Sequence, residues 1–324
     1  MNTRTVGRAC TALSLYLFWM AGITMAETIG EPRAVSMLTE RFETVFRGDS
    51  KLLWGSGKYD DLSQEDSDGL RVPFVYLTVS LNALRGDAAN KTLRASRAVF
   101  VGAKDFRSPS GLGSVRSRFC YVILLEQKQF QIGQFFDPAP TDIHAGVSIW
   151  QWRADLKEYG EGNPKPSLLY AAQIAKTYVI VSNNLDDTKV AIDFLRSPQP
   201  QSSEPTWSRS KELLNGHTIW GYRKYRHLNA DDHEPAGTTG VATGAAALLY
   251  LIDENKKYST LIILSAATDT ETAMNLAKNA VLPPLRFVDQ HGGNWVTSFP
   301  LSGDNKSQDR VFYVMGLFGF GIYV

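Results

Sequence analysis

Two stretches of the chain follow the same pattern, and this pattern constrains the fold more than any other feature. Residues 168–195 read LLYAAQIAKTYVIVSNNLDDTKVAIDFL, and residues 248–277 read LLYLIDENKKYSTLIILSAATDTETAMNLA. Each has an apolar run that opens with Leu-Leu-Tyr, a polar turn that contains lysine, and a second run rich in β-branched residues. Short apolar runs between polar breaks are typical of buried strands. We therefore predict two hairpins.

A helix is predicted after each hairpin. Thr268 and Glu271 have the spacing of a capping box, in which two side chains satisfy amide donors at a helix start, and Asn184 and Asp187 form a weaker version. The sequence thus predicts a duplicated strand–turn–strand–helix unit. The expected fold class is α+β, with two related halves, each a mainly antiparallel sheet with a helix packed on one face.

Periodicity predicts further elements on both sides of the first hairpin. A helix is expected over Glu31 to Arg47, with Gly48 ending it in a left-handed cap. Runs of apolar and aromatic residues predict strands elsewhere. These are Val72 to Leu81, Ala98 to Val101, Phe119 to Leu125, Phe130 to Phe136, Val147 to Trp152, Thr218 to Tyr225, Trp295 to Phe299, and the segment from Val311 onward.

A shift in composition divides the chain. Residues 197–206, SPQPQSSEPT, are rich in proline and serine, which is typical of an exposed linker or long loop. The predicted organisation is therefore a signal peptide at 1–26, an N-terminal half at 27–196, the linker at 197–206, and a C-terminal half at 207–324. The two halves are expected to form one continuous domain or two domains in contact.

The first residues have the features of a secretory signal. Arg4 and Arg8 precede an uncharged stretch from Ala9 to Ala26 that ends on a small residue, as expected before a signal-peptidase cut. We predict cleavage after Ala26, a periplasmic or extracellular location, and no transmembrane span in the mature chain. The alternative is an uncleaved membrane anchor, since about 18 residues is close to the lower limit for crossing a bilayer.

Charge and cysteine usage exclude some functions. The net charge is +1 over 324 residues, so the chain has no global basic field and duplex nucleic acid is not an expected partner. After cleavage only Cys120 would remain, so no internal disulfide could form. Because Cys120 lies in an apolar run, we expect a buried, inert thiol rather than a catalytic one.

Two aromatic and basic segments each precede one copy of the predicted unit. They are Ile149-Trp150-Gln151-Trp152-Arg153 and Ile219-Trp220-Gly221-Tyr222-Arg223-Lys224-Tyr225-Arg226. Flat aromatic faces beside cationic groups can bind sugars, anionic lipid headgroups or peptides. The candidate ligand-binding residues are Trp150, Trp152, Trp220, Tyr222, Arg223, Lys224 and Arg226. In the alternative interpretation these aromatic residues cover helices or pair across strands.

A short segment gathers potential metal ligands. His227, Asp231, Asp232 and His233, followed by Glu234, offer imidazole and carboxylate groups that suit zinc or a similar ion. Their spacing matches no helical His-x-x-x-His pattern, and the segment contains Asn, Pro and Gly. A polar hairpin loop is therefore the alternative interpretation.

Motifs for a serine nucleophile are incomplete. Gly48-Asp49-Ser50 resembles the GDS motif of the SGNH-type lipases and esterases, in which the serine is the nucleophile and an Asp-x-x-His pair lies near the end of the chain. Here the late pair, Asp289 and His291, is one residue too close, and the motif follows a predicted helix rather than a strand. A glycine cap with polar followers explains the motif better.

These features favour an exported, non-enzymatic binding or envelope-associated protein whose ligand the sequence does not identify. Possible partners are a glycan, an anionic lipid headgroup or another protein at the cell envelope, and no cofactor is assigned. A secreted hydrolase, with or without assistance from a metal ion, is the first alternative, because active-site residues are gathered in space rather than in sequence. A structural or assembly factor that docks to other envelope proteins is the second.

Overall fold

The computed structural model describes residues 31–54, 64–104, 118–137, 139–155, 166–197, 205–224, 245–253, 257–265, 288–289, 294–302, 304–318 and 320. Over these residues the fold is α+β, as the sequence predicted. The strands form one 12-stranded sheet in which every neighbouring pair is antiparallel. Helices pack on both faces of this sheet rather than on one.

The strands occupy the sheet in the order β11-β12-β10-β9-β8-β1-β2-β3-β7-β6-β5-β4. Their bounds are β1 (Thr44–Asp49), β2 (Ser96–Lys104), β3 (Arg118–Leu125), β4 (Asp142–His144), β5 (Val147–Asp155), β6 (Pro166–Ile174), β7 (Tyr178–Ser182), β8 (Trp220–Lys224), β9 (Ala245–Asp253), β10 (Tyr258–Ser265), β11 (Val288–Asp289) and β12 (Asn294–Pro300). Strand β1 of the N-terminal half pairs with β8 of the C-terminal half, so one sheet continues through both.

The described helices connect and cover these strands. They are α1 (residues 31–41), α2 (Ser50–Trp54), α3 (Gln64–Arg71), α4 (Val75–Asn82), α5 (Ala88–Ala95), α6 (Leu185–Arg196), α7 (Pro205–Leu214) and α8 (Asn305–Leu317), with 3₁₀ turns at Val72–Phe74 and Ile132–Phe135. None of them has the length and apolar character that a membrane crossing requires.

The sheet has two buried faces, which we call front and back. The front face carries Phe46 and Tyr121 and is covered by α3, α4, α5 and α8. The back face carries Val45 and Cys120 and is covered by α1, α6 and α7. One row of paired residues crosses the front face: Trp150, Ala171, Val181, Tyr121, Val101, Phe46, Gly221, Tyr250 and Leu261.

The predicted helix from Glu31 to Arg47 is wrong at its C-terminal end. Helix α1 ends at residue 41, and Thr44–Asp49 form the central strand β1. In this strand Val45 packs on the back face and Phe46 on the front face. A strand buried on both faces has no polar alternation, so its apolar residues were mistaken for the end of a helical stripe.

Two predicted strands on the front face are also wrong. The segment from Val72 to Leu81 forms a 3₁₀ turn and α4, and the segment from Phe130 to Phe136 contains the 3₁₀ turn Ile132–Phe135. Their apolar and aromatic composition favours strands, but the sheet beneath them is built from other segments of the chain. Both segments therefore cover the front face, where tertiary packing overrides strand propensity.

The terminal segment predicted as a strand from Val311 onward is helix α8. The Asp304 side chain caps this helix by accepting a hydrogen bond from the Ser307 N–H at 2.7 Å. Val311, Val314 and Met315 point into the front core at helical spacing. The helix lies close to α3, since a Cβ on Gly69 would be 2.7 Å from Val311 Cγ1.

The structure confirms both predicted hairpins, β6–β7 and β9–β10, but it does not confirm the duplicated unit. Helix α6 follows the first hairpin, whereas residues 266–287 after the second lie outside the described residues, as do residues 198–204 of the predicted linker. The aligned Leu-Leu-Tyr residues also face opposite sides of the sheet. Leu169 packs in the front core and Leu249 in the back core.

Helix α6 is held at one end of the sheet by a buried carboxylate. Asn184 caps the helix by accepting from the Asp187 N–H at 3.0 Å. The Asp187 side chain is 2% exposed and accepts from Arg41 at 2.9 Å and from Arg118 Nε at 2.8 Å. These contacts join α1, β3 and α6, and they position the helix against which β4 docks.

Candidate ligand-binding face

The first predicted aromatic segment lies in β5, next to the edge of the sheet. Trp150 and Trp152 share the front face and are partly exposed. The Phe136 ring stacks on Trp150 with centroids 5.6 Å apart and meets Trp152 edge-on at 5.4 Å. We call Phe136, Trp150 and Trp152 the aromatic edge. Aromatic pairs of this geometry add stability beyond the area that they bury.

The segment that carries Phe136 is fixed to the sheet by one side chain. Gln173 of β6 accepts from the Ile132 N–H at 2.7 Å and donates to the Phe130 carbonyl at 2.9 Å. Gly133 lies against the Trp150 ring, where a Cβ would be 2.7 Å from Cζ2. Only glycine permits this approach without moving the ring. Trp150 is therefore positioned both by its own strand and by the segment that carries Gly133 and Phe136.

Trp152 is anchored through its polar atom. Its Nε1–H donates to the Ser80 carbonyl of α4 at 3.0 Å. This bond satisfies the indole donor and leaves part of the ring exposed. Because both indoles are held by neighbouring groups, a ligand that contacts them would not have to order them first.

An apolar residue and charged groups surround the aromatic edge. Ile143 of β4 is 65% exposed and lies opposite Ser148 of β5. Because Ser148 is two residues before Trp150 in the same strand, Ile143 and Trp150 lie on the same face of the sheet. Arg85 and Asp137 form an exposed ion pair close to Phe136 in sequence and at the end of α4. An apolar surface with a polar rim is the usual composition of a recognition site.

Strand β4 is attached to α6 on the back face by polar contacts. Lys189 Nζ lies 2.8 Å from Asp142, and His144 Nε2 lies 2.9 Å from Asp193. Arg196 donates to the Ala145 carbonyl in the turn. The hydrogen bond from Lys189 lowers the pKa of Asp142 below its ordinary value, and the same bond raises the pKa of Lys189.

The second predicted aromatic segment lies in β8, near the middle of the sheet. Trp220 is 6% exposed, and Tyr222 is fully buried on the back face. Trp207 of α7 covers both rings, with centroids 5.7 Å from Trp220 and 5.3 Å from Tyr222. These contacts match the alternative interpretation of the sequence, in which the aromatic residues pack under a helix.

The structure therefore does not bring the predicted ligand-binding residues together. Strands β1, β2, β3, β7 and β6 separate β8 from β5, which is roughly 29 Å at about 4.8 Å per strand spacing. Arg223 donates to the Leu317 carbonyl at the end of α8, and the Lys224 N–H donates to the Glu43 carbonyl. Arg226 lies outside the described residues.

The predicted metal site also lies outside the described residues, since His227, Asp231, Asp232 and His233 fall between β8 and β9. Within the described ranges, no group of three or more His, Cys, Asp or Glu side chains could hold a metal ion. The prediction from the sequence therefore stays a prediction.

Two potential nucleophiles are buried. Cys120 is fully buried in β3, as the sequence predicted, and burial raises the pKa of its thiol far above the ordinary value. Ser50 follows strand β1, not a helix, and its Oγ lies 2.6 Å from Ser96 Oγ. Ser96 in turn donates to the Leu93 carbonyl at 2.7 Å. Cys120 therefore lacks the exposed, electropositive site that a reactive thiolate needs.

Sequence reasoning found Trp150 and Trp152 but missed the residues that hold them. Phe136 and Gly133 lie in a segment that was predicted to be a strand, and Ser80 lies in one too. Gly133 between aromatic and apolar residues was the only available signal, because an isolated glycine in such a run often marks a close approach.

Comparisons with known proteins place few constraints on this chain. No protein-family model matches it, and no curated protein matches it. Among solved structures, crystal form I of TP0453 superposes with a TM-score of 0.42 at 8% identity, covering 86% of this chain and 96% of that one. Crystal form IV of TP0453 gives a TM-score of 0.40 at 8% identity, covering 85% and 94%.

Proposed function

We propose that this chain is an exported, non-enzymatic binding protein that takes its ligand at the aromatic edge. The proposal rests on the partial exposure and the fixed positions of the Trp150 and Trp152 rings. Both rings are partly exposed, lie side by side on one face, and are held by neighbouring groups. Rigid indole rings offer a large contact area at a low cost in conformational entropy.

The surroundings of the aromatic edge support recognition of a ligand that is partly apolar. Ile143 extends the apolar surface towards the edge of the sheet, and the exposed Arg85–Asp137 ion pair adds polar groups. Glycans, lipid headgroups and peptides all combine apolar patches with hydrogen-bonding groups, so each class suits this composition.

The non-enzymatic part of the proposal is supported by Cys120 and Ser50. Cys120 is enclosed by both neighbouring strands and the back core, and Ser50 is paired with Ser96. Export is supported by the sequence of the first residues, where Arg4 and Arg8 precede the uncharged stretch that ends at Ala26. Cleavage after Ala26 would release the chain into the periplasm or the exterior.

The test is a binding screen on the wild-type chain by isothermal titration calorimetry. The probes are soluble oligosaccharides, phosphatidylglycerol vesicles and short extended peptides. A probe that binds should bind at least about tenfold more weakly to the Trp150→Ala, Trp152→Ala double variant, since removing central aromatic contacts costs more than about 1.4 kcal/mol. The matched control is Tyr258→Ala, because Tyr258 is a 44% exposed aromatic residue on β10.

Two results would contradict the proposal. The first is that no probe binds the wild-type chain. The second is that a probe binds equally well to the double variant, which would place the site elsewhere. Circular dichroism on each variant checks that the fold is retained.

The hydrolase alternative has its own test. The wild-type chain would contain zinc after purification, and the double variant His227→Ala, His233→Ala would lose the metal together with any esterase or glycosidase activity. Metal-free wild-type protein with no activity in these assays would count against this alternative and leave the binding role in place.

A further inference from the structure

Strand β5 is longer than the strand that covers it. Strand β4 pairs only with Val147, Ser148 and Ile149, whereas β5 continues to Asp155. Among the described residues, no strand pairs with the outer side of residues 150–155. Over the part of the chain that the structure describes, this half of β5 is therefore an open edge of the sheet.

The hydrogen-bonding groups on this open edge can be identified from the register. The Ile149 carbonyl accepts from the Thr141 N–H at 2.9 Å, so the main-chain polar groups of Ile149 point away from β6. Alternate residues of a strand point the same way. The N–H and C=O groups of Gln151 and Arg153 therefore point outward as well.

A proline explains why β4 does not cover these groups. Pro140 directly precedes Thr141, whose N–H bonds to the Ile149 carbonyl. Proline has no N–H to donate, so pairing ends there. Unpaired main-chain groups on an edge strand form a template for an added strand.

The side chains of this edge indicate which strand would fit. Gln151 and Arg153 are exposed on the back face, and no ion pair to Arg153 occurs within the described part of the chain. Trp150 and Trp152 flank the same backbone on the front face. A complementary strand would alternate an acidic residue opposite Arg153 with apolar residues beside the two indoles.

We propose that β5 binds an extended peptide segment of another protein, with alternating acidic and apolar residues, as an added antiparallel strand. The inference rests on the proposed binding function and names its ligand class. Main-chain hydrogen bonds to Gln151 and Arg153 provide affinity, while the aromatic edge and Arg153 select the side chains. The 12-stranded sheet gains a strand beside β5, beyond the end of β4.

A second copy of the chain fits this edge less well. If two β5 edges paired antiparallel through their outward groups, Arg153 would lie opposite the Arg153 of the other copy or diagonal to it. Like charges directly opposite each other destabilise strand pairing. An acidic segment would place a carboxylate opposite Arg153 instead, so charge complementarity favours a different partner.

The probe is a six-residue peptide that alternates valine and glutamate, acetylated and amidated at its ends. It is titrated into the wild-type chain by calorimetry. The first control peptide has lysine in place of glutamate and should bind more weakly because of Arg153. The second is N-methylated at its glutamates, which would sit opposite the outward residues of β5, and should lose binding because these amides can no longer donate.

Protein variants separate the main chain from the side chain. Gln151→Pro removes an outward N–H without removing a donor to β6 and should weaken binding more than about tenfold. Gln151→Val keeps that N–H and should retain binding. Arg153→Glu places like charges opposite each other and should weaken binding about threefold to tenfold. On peptide binding, the Gln151 and Arg153 amides should become protected from hydrogen exchange.

The inference is overturned if the peptide does not bind, or if Gln151→Pro and the N-methylated peptide bind as well as the originals. Should Gln151→Pro fail to fold, the N-methylated peptide still decides the question. If the wild-type chain forms a dimer that Gln151→Pro dissociates, the edge binds a second copy of the chain. The proposal of a peptide partner would then be wrong. Binding of a glycan or vesicle through Trp150, with no peptide binding, would overturn this inference and leave the proposed function intact.

Discussion

Strands β5 and β8 can be compared residue by residue, because each pairs with a strand that contains Leu-Leu-Tyr. In the first pair Trp152 lies opposite Leu169, and in the second Tyr222 lies opposite Leu249. The local pairing is the same, yet the aromatic residues have opposite surroundings. Those of β5 are partly exposed on the front face, and those of β8 are buried on the back face.

The difference arises from a shift of one residue across the sheet. The row of paired residues that contains Trp150 reaches β8 at Gly221, not at Trp220. Because side chains alternate between faces, a shift of one residue moves a whole set to the other face. A similar sequence therefore forms a candidate binding surface at the edge and a structural core in the centre.

The comparison predicts the largest difference for truncation of one tryptophan in each strand. Trp220→Ala should reduce the free energy of unfolding by about 3–5 kcal/mol, because it leaves a cavity beneath Trp207. Trp150→Ala should cost less, about 1–2 kcal/mol, since part of the ring is already in water. Urea denaturation measures both, and equal losses would contradict the assignment of β5 as a surface strand.

Glycine substitutions test the same contrast by adding a methyl group instead of removing a ring. A Cβ on Gly221 would lie 2.8 Å from the Phe46 ring and 2.9 Å from Phe318, both fully buried. Gly221→Ala should therefore cost about 1–3 kcal/mol through overpacking. Gly133→Ala displaces Trp150, which can move towards solvent, so its cost should be below about 1 kcal/mol. Denaturation of the two single variants reveals whether this order holds.

Thiol labelling compares the two regions without a large change in stability. In an Ile143→Cys variant, the new thiol on β4 is exposed and should react readily with a maleimide. Cys120 in central strand β3 should react only after unfolding, because burial raises the pKa of its thiol and blocks access. Peptide mapping by mass spectrometry identifies the labelled site. Rapid labelling of Cys120 in the folded protein would show that the central strands open without global unfolding, which would contradict this prediction.

The smallest effect concerns the polar contacts that hold β4. Lys189 lowers the pKa of Asp142, so this contact favours the folded state above the ordinary carboxyl pKa of about 3.9 and is lost as pH falls through the lower folded value. An NMR titration should place the Asp142 midpoint below about 3.9. Lys189→Ala should return it towards that value. An unchanged midpoint in the variant would exclude Lys189 as the cause.

Local signals predicted the hairpins and most central strands well. Phe119 to Leu125 and Thr260 to Leu264 are runs of β-branched and aromatic residues, and both form strands. The same signals failed for Val72 to Leu81 and for the segment from Val311 onward, which form helices. In these segments the apolar residues face the front core at helical spacing, which a continuous apolar run does not reveal.

The candidate site was predicted only in part, for a related reason. Trp150 and Trp152 stand out as aromatic residues that share one face of a strand. Their supports, Gln173 and Ser80, are ordinary polar residues that are distant in sequence and meet the indoles or their covering segment only in the fold. The open edge at Gln151 depends on where β4 ends, which is a property of the pairing register.

The sequence alone determined that strands bearing Trp150 and Trp220 would precede hairpins with the same polar turns, because turn residues and strand propensity act over short distances. Only the tertiary structure decided which face each strand presents and which strand lies near the edge. These outcomes depend on the register across five intervening strands and on the helices that cover each face. Side-chain alternation makes them sensitive to a shift of a single residue.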